Sequence, residues 1–321
     1  MLSESVDMNS FLSLSLADLH CDTAYELFRQ KKHMGDPTLA VDFDSSPYRT
    51  YLQAMAVWSD FRLSDEEAYR RFFEIAGYLR AEEKGFLKAH PECRTFLCVE
   101  DARILAGHPE RIRTLFDAGV RLLTLTWKGE SCIGGAYDTE AGLTGFGRQV
   151  VRDCFSMGIL PDVSHASVKS FYEVAELADS LPFVASHSDA YAVCPHPRNL
   201  RDEQFAKIRE CGGLVGINLC VEHLDCDDKK NGIACVLSHI EHFLSLGGEN
   251  TLCFGCDFDG AETPQELRHP SGLAKLAGEM QKIGYPQSLI EKIFWRNAES
   301  FLQKTIHFKS ENFTGPGPGD P

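Results

Sequence analysis

LADLHCDTAYELFRQKK, residues 16–32, passes from an apolar run into a segment of helical spacing with no glycine-rich turn between them. An open doubly wound sheet is expected to carry such a turn after its first strand. Its absence favours the other parallel α/β architecture, a closed (β/α)8 barrel. Within the apolar run His20 and Asp22 are i and i+2, so on an extended strand their side chains leave from the same face. An imidazole beside a carboxylate at a strand end is either a metal-ligand pair or an ordinary hydrogen-bonded pair, and the rest of the chain decides between them.

Seven further strand-like runs follow: YLQAMAVWSD (51–60), TFLCVED (95–101), RLLTLTW (121–127), ILPDVSH (159–165), PFVASHS (182–188), GLVGINLC (213–220) and TLCFGCDFDG (251–260). Segments of helical spacing separate them, at about 64–90, 109–118, 144–157, 166–179, from 202, and 232–246, with two more at 271–283 and 286–304. Ser64 followed by Glu67 predicts a capping box at the start of the first of these. Eight strands alternating with helices is the pattern of the barrel. In a barrel the C-terminal strand ends form one rim, so His20, Asp22, Glu100, His165, His187 and Asp257 are expected to converge on one pocket.

The chain has 321 residues, 43% hydrophobic and 25% charged, which suits one large core. The net charge of -15, with no basic block, argues against a nucleic-acid surface. Residues 1–16, MLSESVDMNSFLSLSL, have neither a basic n-region nor an unbroken apolar h-region. No later run approaches the ~20 apolar residues of a membrane span. The expected location is cytoplasmic, with no membrane partner. Twelve cysteines are dispersed through apolar runs with no CxxC pair, so Cys98, Cys194, Cys211, Cys253 and Cys256 are expected reduced and buried. GLTGFGR (142–148) resembles a phosphate loop only superficially, since no Lys-Ser or Lys-Thr follows. The expected division is a short extension at 1–14, one barrel domain at 15–305 and a Pro/Gly-rich tail at 306–321. The tail's NFT sequon has no use in a cytoplasmic protein.

Three histidines and two carboxylates exceed what one catalytic zinc needs, about three protein ligands and a water. Two metals sharing a bridging carboxylate fit better; in such hydrolases the ions sit ~3.5–4 Å apart with a hydroxide between them as nucleophile. Ligand type suits zinc and leaves manganese and cobalt open.

LHCD (19–22), VED (99–101), LTLTW (123–127), DVSH (162–165), SHSDA (186–190), HPRN (196–199) and GCDFDG (255–260) together resemble the membrane (renal-type) dipeptidases, peptidase family M19. The motifs run in the family's order over nearly the whole chain. The resemblance implies a (β/α)8 barrel with two zinc ions per chain, and a dipeptide substrate hydrolysed by the bridging hydroxide. Carried over residue by residue, it implies that His20 and Asp22 bind one zinc, His165 and His187 the other, and Glu100 both. It further implies that Asp257 moves the proton from water to the leaving amine and that Arg198 binds the substrate carboxylate. Asp259, two residues on, is the rival for Asp257's role, with an Asx-turn as the alternative use of either acid. One departure stands out: many animal members have a His where this chain has Trp127, expected at the pocket rim as a substrate-binding residue that shapes preference. His196, His223, His239 and His242 receive no role. Two other functions are weighed, an amidohydrolase acting on a small amide or lactam and a metal-binding homologue without turnover. Arg198 discriminates the first, because a neutral cyclic substrate gives it no partner. A homodimer is a candidate assembly.

Overall fold

The structure is a computed structural model that describes residues 14–44, 46–224 and 231–306. Most of the expected extension and tail, and the NFT sequon, lie outside the described residues. Eight parallel strands close into a barrel in sequence order: β1 (Leu16–Cys21), β2 (Tyr51–Trp58), β3 (Cys93–Glu100), β4 (Val120–Thr124), β5 (Leu160–Asp162), β6 (Val184–Ala185), β7 (Leu214–Ile217) and β8 (Leu252–Phe254). The helices between them are α1 (Thr23–Gln30), α2 (Asp65–Ala89), α3 (Arg111–Asp117), α4 (Gly145–Met157), α5 (Val168–Ala178), α6 (Asp202–Glu210) and α7 (Gly232–Ser245), followed after β8 by α8 (Pro270–Lys282), α9 (Gln287–Glu291) and α10 (Asn297–Thr305). The capping box at the head of α2 is present: Ser64 Oγ accepts from Glu67 N, and Glu67 Oε2 accepts from Ser64 N at 2.9 Å.

Alternation along the strands sorts the core into two layers. Leu52, Ala54 and Ala56 of β2 and Phe96 and Cys98 of β3 point inward, while Tyr51, Met55 and Val57 or Leu97 and Val99 pack outward against the helices. The inner layer is closed from below by Ala298, Phe301 and Leu302 of α10, with Ile306. Each fully buried Leu or Phe contributes on the order of 1.5–3 kcal/mol. The 286–304 segment, read as one helix, is broken by a π turn at Lys292–Arg296. The extra residue rotates the apolar stripe: Ile290 before the turn and Ile293 and Phe294 within it join the outer layer, and Ala298, Phe301 and Leu302 after it the inner one.

A second irregularity bears on the site. On β1, Ala17 and Leu19 face inward, yet Cys21 belongs to the outer layer, and the pairing with β2 shifts register between Asp18 and Cys21. Strict alternation would have turned His20 outward; the shift turns it into the barrel, as bulges beside functional sites do. Asp22 then lies one residue beyond the strand, just ahead of α1. Strands β4, β5 and β6 end earlier than the apolar runs that announced them. Trp127, His165 and His187 therefore sit on the connecting loops above the rim.

The described cysteines are all free, and Cys98, Cys194, Cys211, Cys253 and Cys256 are buried. No helix among the described residues is long and apolar enough to cross a membrane.

Candidate metal centre and substrate cleft

Glu100 is the last residue of β3 and follows Phe96 and Cys98 on the inward face. Its two oxygens divide the site. Oε2 lies 3.5 Å from His20 Nε2, and Oε1 lies 2.9 Å from His165 Nε2 and 3.4 Å from His187 Nε2. On the His20 side, Nε2 is 3.8 Å from Asp22 Oδ2 and 3.9 Å from Asp257 Oδ1. The rings of His20 and His187 stack with centroids 3.8 Å apart. Potential ligand atoms form two overlapping sets, His20–Glu100–His187 and His20–Asp22–Asp257, each within 4.8 Å.

Proton positions decide whether this cluster can hold itself together by hydrogen bonds. His165 Nδ1 meets the Trp127 carbonyl at 3.1 Å, so Nδ1 carries the proton and Nε2 the lone pair. Asp162, inward on β5, accepts from Ser186 Oγ and Thr124 Oγ1, both at 2.6 Å, and from the amides of Ser186 and Ser164. Ser186 Oγ thus directs its O–H to Asp162 and accepts from His187 Nδ1 at 2.7 Å. His187 Nε2 is left as a lone pair as well. The two Nε2 atoms stand 2.9 Å apart with Glu100 Oε1 beside them, three acceptors without a proton among them. Burial and then Arg198 push His165 down to about 4, keeping it neutral. Burial and then Glu100 push Asp22 up to about 7. Burial disfavours a charge on His20, but Glu100 and Asp22 overcome it and hold that imidazole well above its usual pKa. Among the described residues, both nitrogens of His20 and Oδ1 of Asp22 have no hydrogen-bond partner. Converging lone pairs, orphaned polar atoms and excess carboxylate fit a cation, and the His/Asp/Glu set is one that zinc takes.

The backbone is strained at the same place. His165 (φ 67°), Asp257 (φ 61°) and Asp259 (φ 65°) are left-handed without being glycine, a conformation found where surrounding structure enforces it for a purpose. Gly260 completes the turn, and a Cβ there would overlap the Asp22 carboxylate. The two acids of CDFDG separate cleanly. Asp259 accepts from Thr23 Oγ1 at 2.6 Å and from Ala40 N at 2.8 Å, tying α1 to the loop after it. Asp257 turns Oδ1 toward His20 and accepts at Oδ2 from Asn218 Nδ2 at 3.3 Å.

Above the cluster lies a cleft of about 410 Å³ lined by Asp22, Glu100, His165 and Asp257, with Arg198 and Trp127 on its walls. Arg198 is 5% exposed, yet no carboxylate among the described residues pairs with it; Nη2 reaches only the His187 carbonyl at 3.3 Å, and Nε has no partner. A guanidinium buried without an anion is costly unless a ligand supplies one. Trp127 belongs to an aromatic wall, stacked on the exposed Phe61 with centroids 5.7 Å apart and edge-on to Trp58 at 5.3 Å. The structure therefore brings together every residue singled out in the sequence. It adds Asn218 and His223, which line or support the same cleft and had no role assigned. Asn218 stands one residue past β7, as Asp22 stands one residue past β1.

A family model described as membrane dipeptidase (peptidase family M19) matches residues 66–312. The chain belongs to this family. It is a metallopeptidase of the dipeptidase class. The matched stretch holds Glu100, His165, His187, Arg198 and Asp257; His20 and Asp22 precede it, and barrel closure brings β1 to the same rim. A solved M19 metallopeptidase, dipeptidase AC, superposes with a TM-score of 0.83 at 27% identity, over 91% of this chain and 99% of that one. A metallopeptidase from Rhodobacter sphaeroides, solved with a phosphinate mimic of the dipeptide L-Ala-D-Ala, gives 0.82 at 27% identity over the same shares. Among curated relatives, a protein from the pqqA 5′ region of Klebsiella pneumoniae is 34% identical over 210 residues, 62% of this chain and 77% of that one. Dipeptidase aclJ of Aspergillus oryzae is 31% identical over 199 residues, 59% of this chain and 46% of that one.

Proposed function

We propose that the chain is a zinc-dependent dipeptidase holding two ions, one by His20 and Asp22, the other by His165 and His187, with Glu100 shared. The observation that carries this reading is the division of Glu100's oxygens between two groups of ligand atoms, with unprotonated nitrogens facing one of them. When bound, such ions polarise a carbonyl and bring the pKa of a water to near neutrality.

The chain's own residues supply the rest. Asp257, whose pKa burial raises and whose Oδ2 is held by Asn218, takes the proton of the attacking water and delivers it to the leaving nitrogen. Arg198 receives the substrate's terminal carboxylate, where its fork can bind two oxygens at once. That partner fixes the substrate's length, since a longer peptide continues where the carboxylate would sit. Comparing a dipeptide with its C-terminal amide tests the assignment: the amide should show a raised KM or no cleavage, and Arg198→Ala should lose most of that discrimination. Equal rates on acid and amide in the unaltered enzyme would remove Arg198 from substrate binding and reopen the lactam reading.

Trp127, with Phe61 beside it, offers the substrate an apolar face worth about 1–3 kcal/mol of discrimination per methylene or ring packed on it. Trp127→Ala should raise KM for dipeptides with apolar or aromatic side chains and flatten the ranking among substrates, with bound zinc unchanged. A lowered Tm with an unaltered ranking would mean that Trp127 only plugs the barrel mouth.

A further inference from the structure

His223 lies beyond β7 on the turn after Cys220 and lines the cleft that holds Arg198 and Asp257. Two asparagines fix it there. Asn199, next to Arg198, donates from Nδ2 to the His223 carbonyl at 2.8 Å, which locks the turn against the segment that carries the guanidinium. Asn218 accepts from Cys220 N at Oδ1 (2.7 Å), and this sets its amide so that Nδ2 faces both Asp257 Oδ2, at 3.3 Å, and His223 Nδ1, at 3.5 Å. On its far side His223 packs on His196, ring centroids 4.7 Å apart, and His196 Nδ1 in turn accepts from Arg198 N. Burial and then the neighbouring Arg198 push the His223 pKa down to about 2, so the ring stays neutral and has one donor and one acceptor. With Nδ1 facing the amide of Asn218, the donor is Nε2–H.

We propose that His223 is a substrate-binding residue whose Nε2–H donates to the terminal carboxylate held by Arg198. The chemistry calls for such a second donor. A carboxylate has about four acceptor sites, and a guanidinium fork fills two of them. Arg198 also spends Nη2 on the His187 carbonyl. A neutral N–H completes the carboxylate's hydrogen bonding without adding a second positive charge beside the buried arginine. The turn's ties to Asn199 and Asn218 make the pair a preformed cradle.

This inference rests on the dipeptidase reading of the cleft, and the test separates the two. The zinc-loaded enzyme and its His223→Phe and His223→Gln variants are compared by KM for Ala-Ala and by the inhibition constant of Ala-Ala amide, with zinc content and Tm measured on each. His223→Phe keeps the ring and removes the donor; its KM for the free acid should rise about tenfold or more while the amide's constant changes little. His223→Gln, which restores an N–H, should recover part of the loss, and it decides alone if the Phe variant does not fold. Unchanged acid-to-amide discrimination in His223→Phe overturns the His223 assignment and leaves Arg198 in place. Absence of discrimination in the unaltered enzyme overturns both.

Discussion

Replacing Glu100 with Gln is expected to release zinc from both positions together and to abolish dipeptide turnover. The amide is isosteric but neutral, and one of its two heads is a donor. Either its NH2 faces the His165/His187 pair or it faces His20, and in both orientations one group of ligand atoms loses its shared oxygen. Partners that merely orient a ligand cost ~10–100-fold in metal affinity when removed. A shared ligand should exceed the upper end of that range at both positions. Zinc content by elemental analysis of the purified variant checks this: loss of about one ion, with the second retained, would mean that Glu100 serves one ion only.

Asp257→Asn is expected to lower kcat by roughly 10²-fold or more with zinc content near normal. The carbonyl of the new amide can keep the contact with Asn218, so the shape survives and the base does not. Asp259→Asn is the control. Its carboxylate holds Thr23 and the Ala40 amide, so its loss should appear as a lower Tm before it appears in kcat. Abolished turnover in the Asp259 variant, with a Asp257 variant that still turns over, would exchange the roles of the two acids.

The barrel was legible because strand-helix alternation and the lack of a glycine turn after LADLHCD are local properties of the chain. The convergence of the candidate site residues was legible because barrel geometry delivers strand C-termini to one rim, whatever their separation in sequence. The means of delivery was not. His20 and Asp22 do share a side, but by a register shift in β1 and an exit from the strand rather than by simple alternation. His165 lies three residues beyond β5, on a left-handed turn that no spacing announces. Asp162 reads as one more strand residue and proves to be the acceptor that sets the tautomer of His187 through Ser186. His223 was passed over because, beside the nearby Asn218, its surroundings are made by residues distant in sequence, Asn199 and His196 before β7 and Arg198 between them.

The central claim is that activity needs two zinc ions on one chain, and stoichiometric reconstitution tests it most directly. Protein stripped with chelator should be inactive toward dipeptides, and hydrolysis should return as zinc is added, reaching its plateau at two bound ions per chain. Full activity at one ion per chain, or turnover that survives complete removal of metal, would contradict the account.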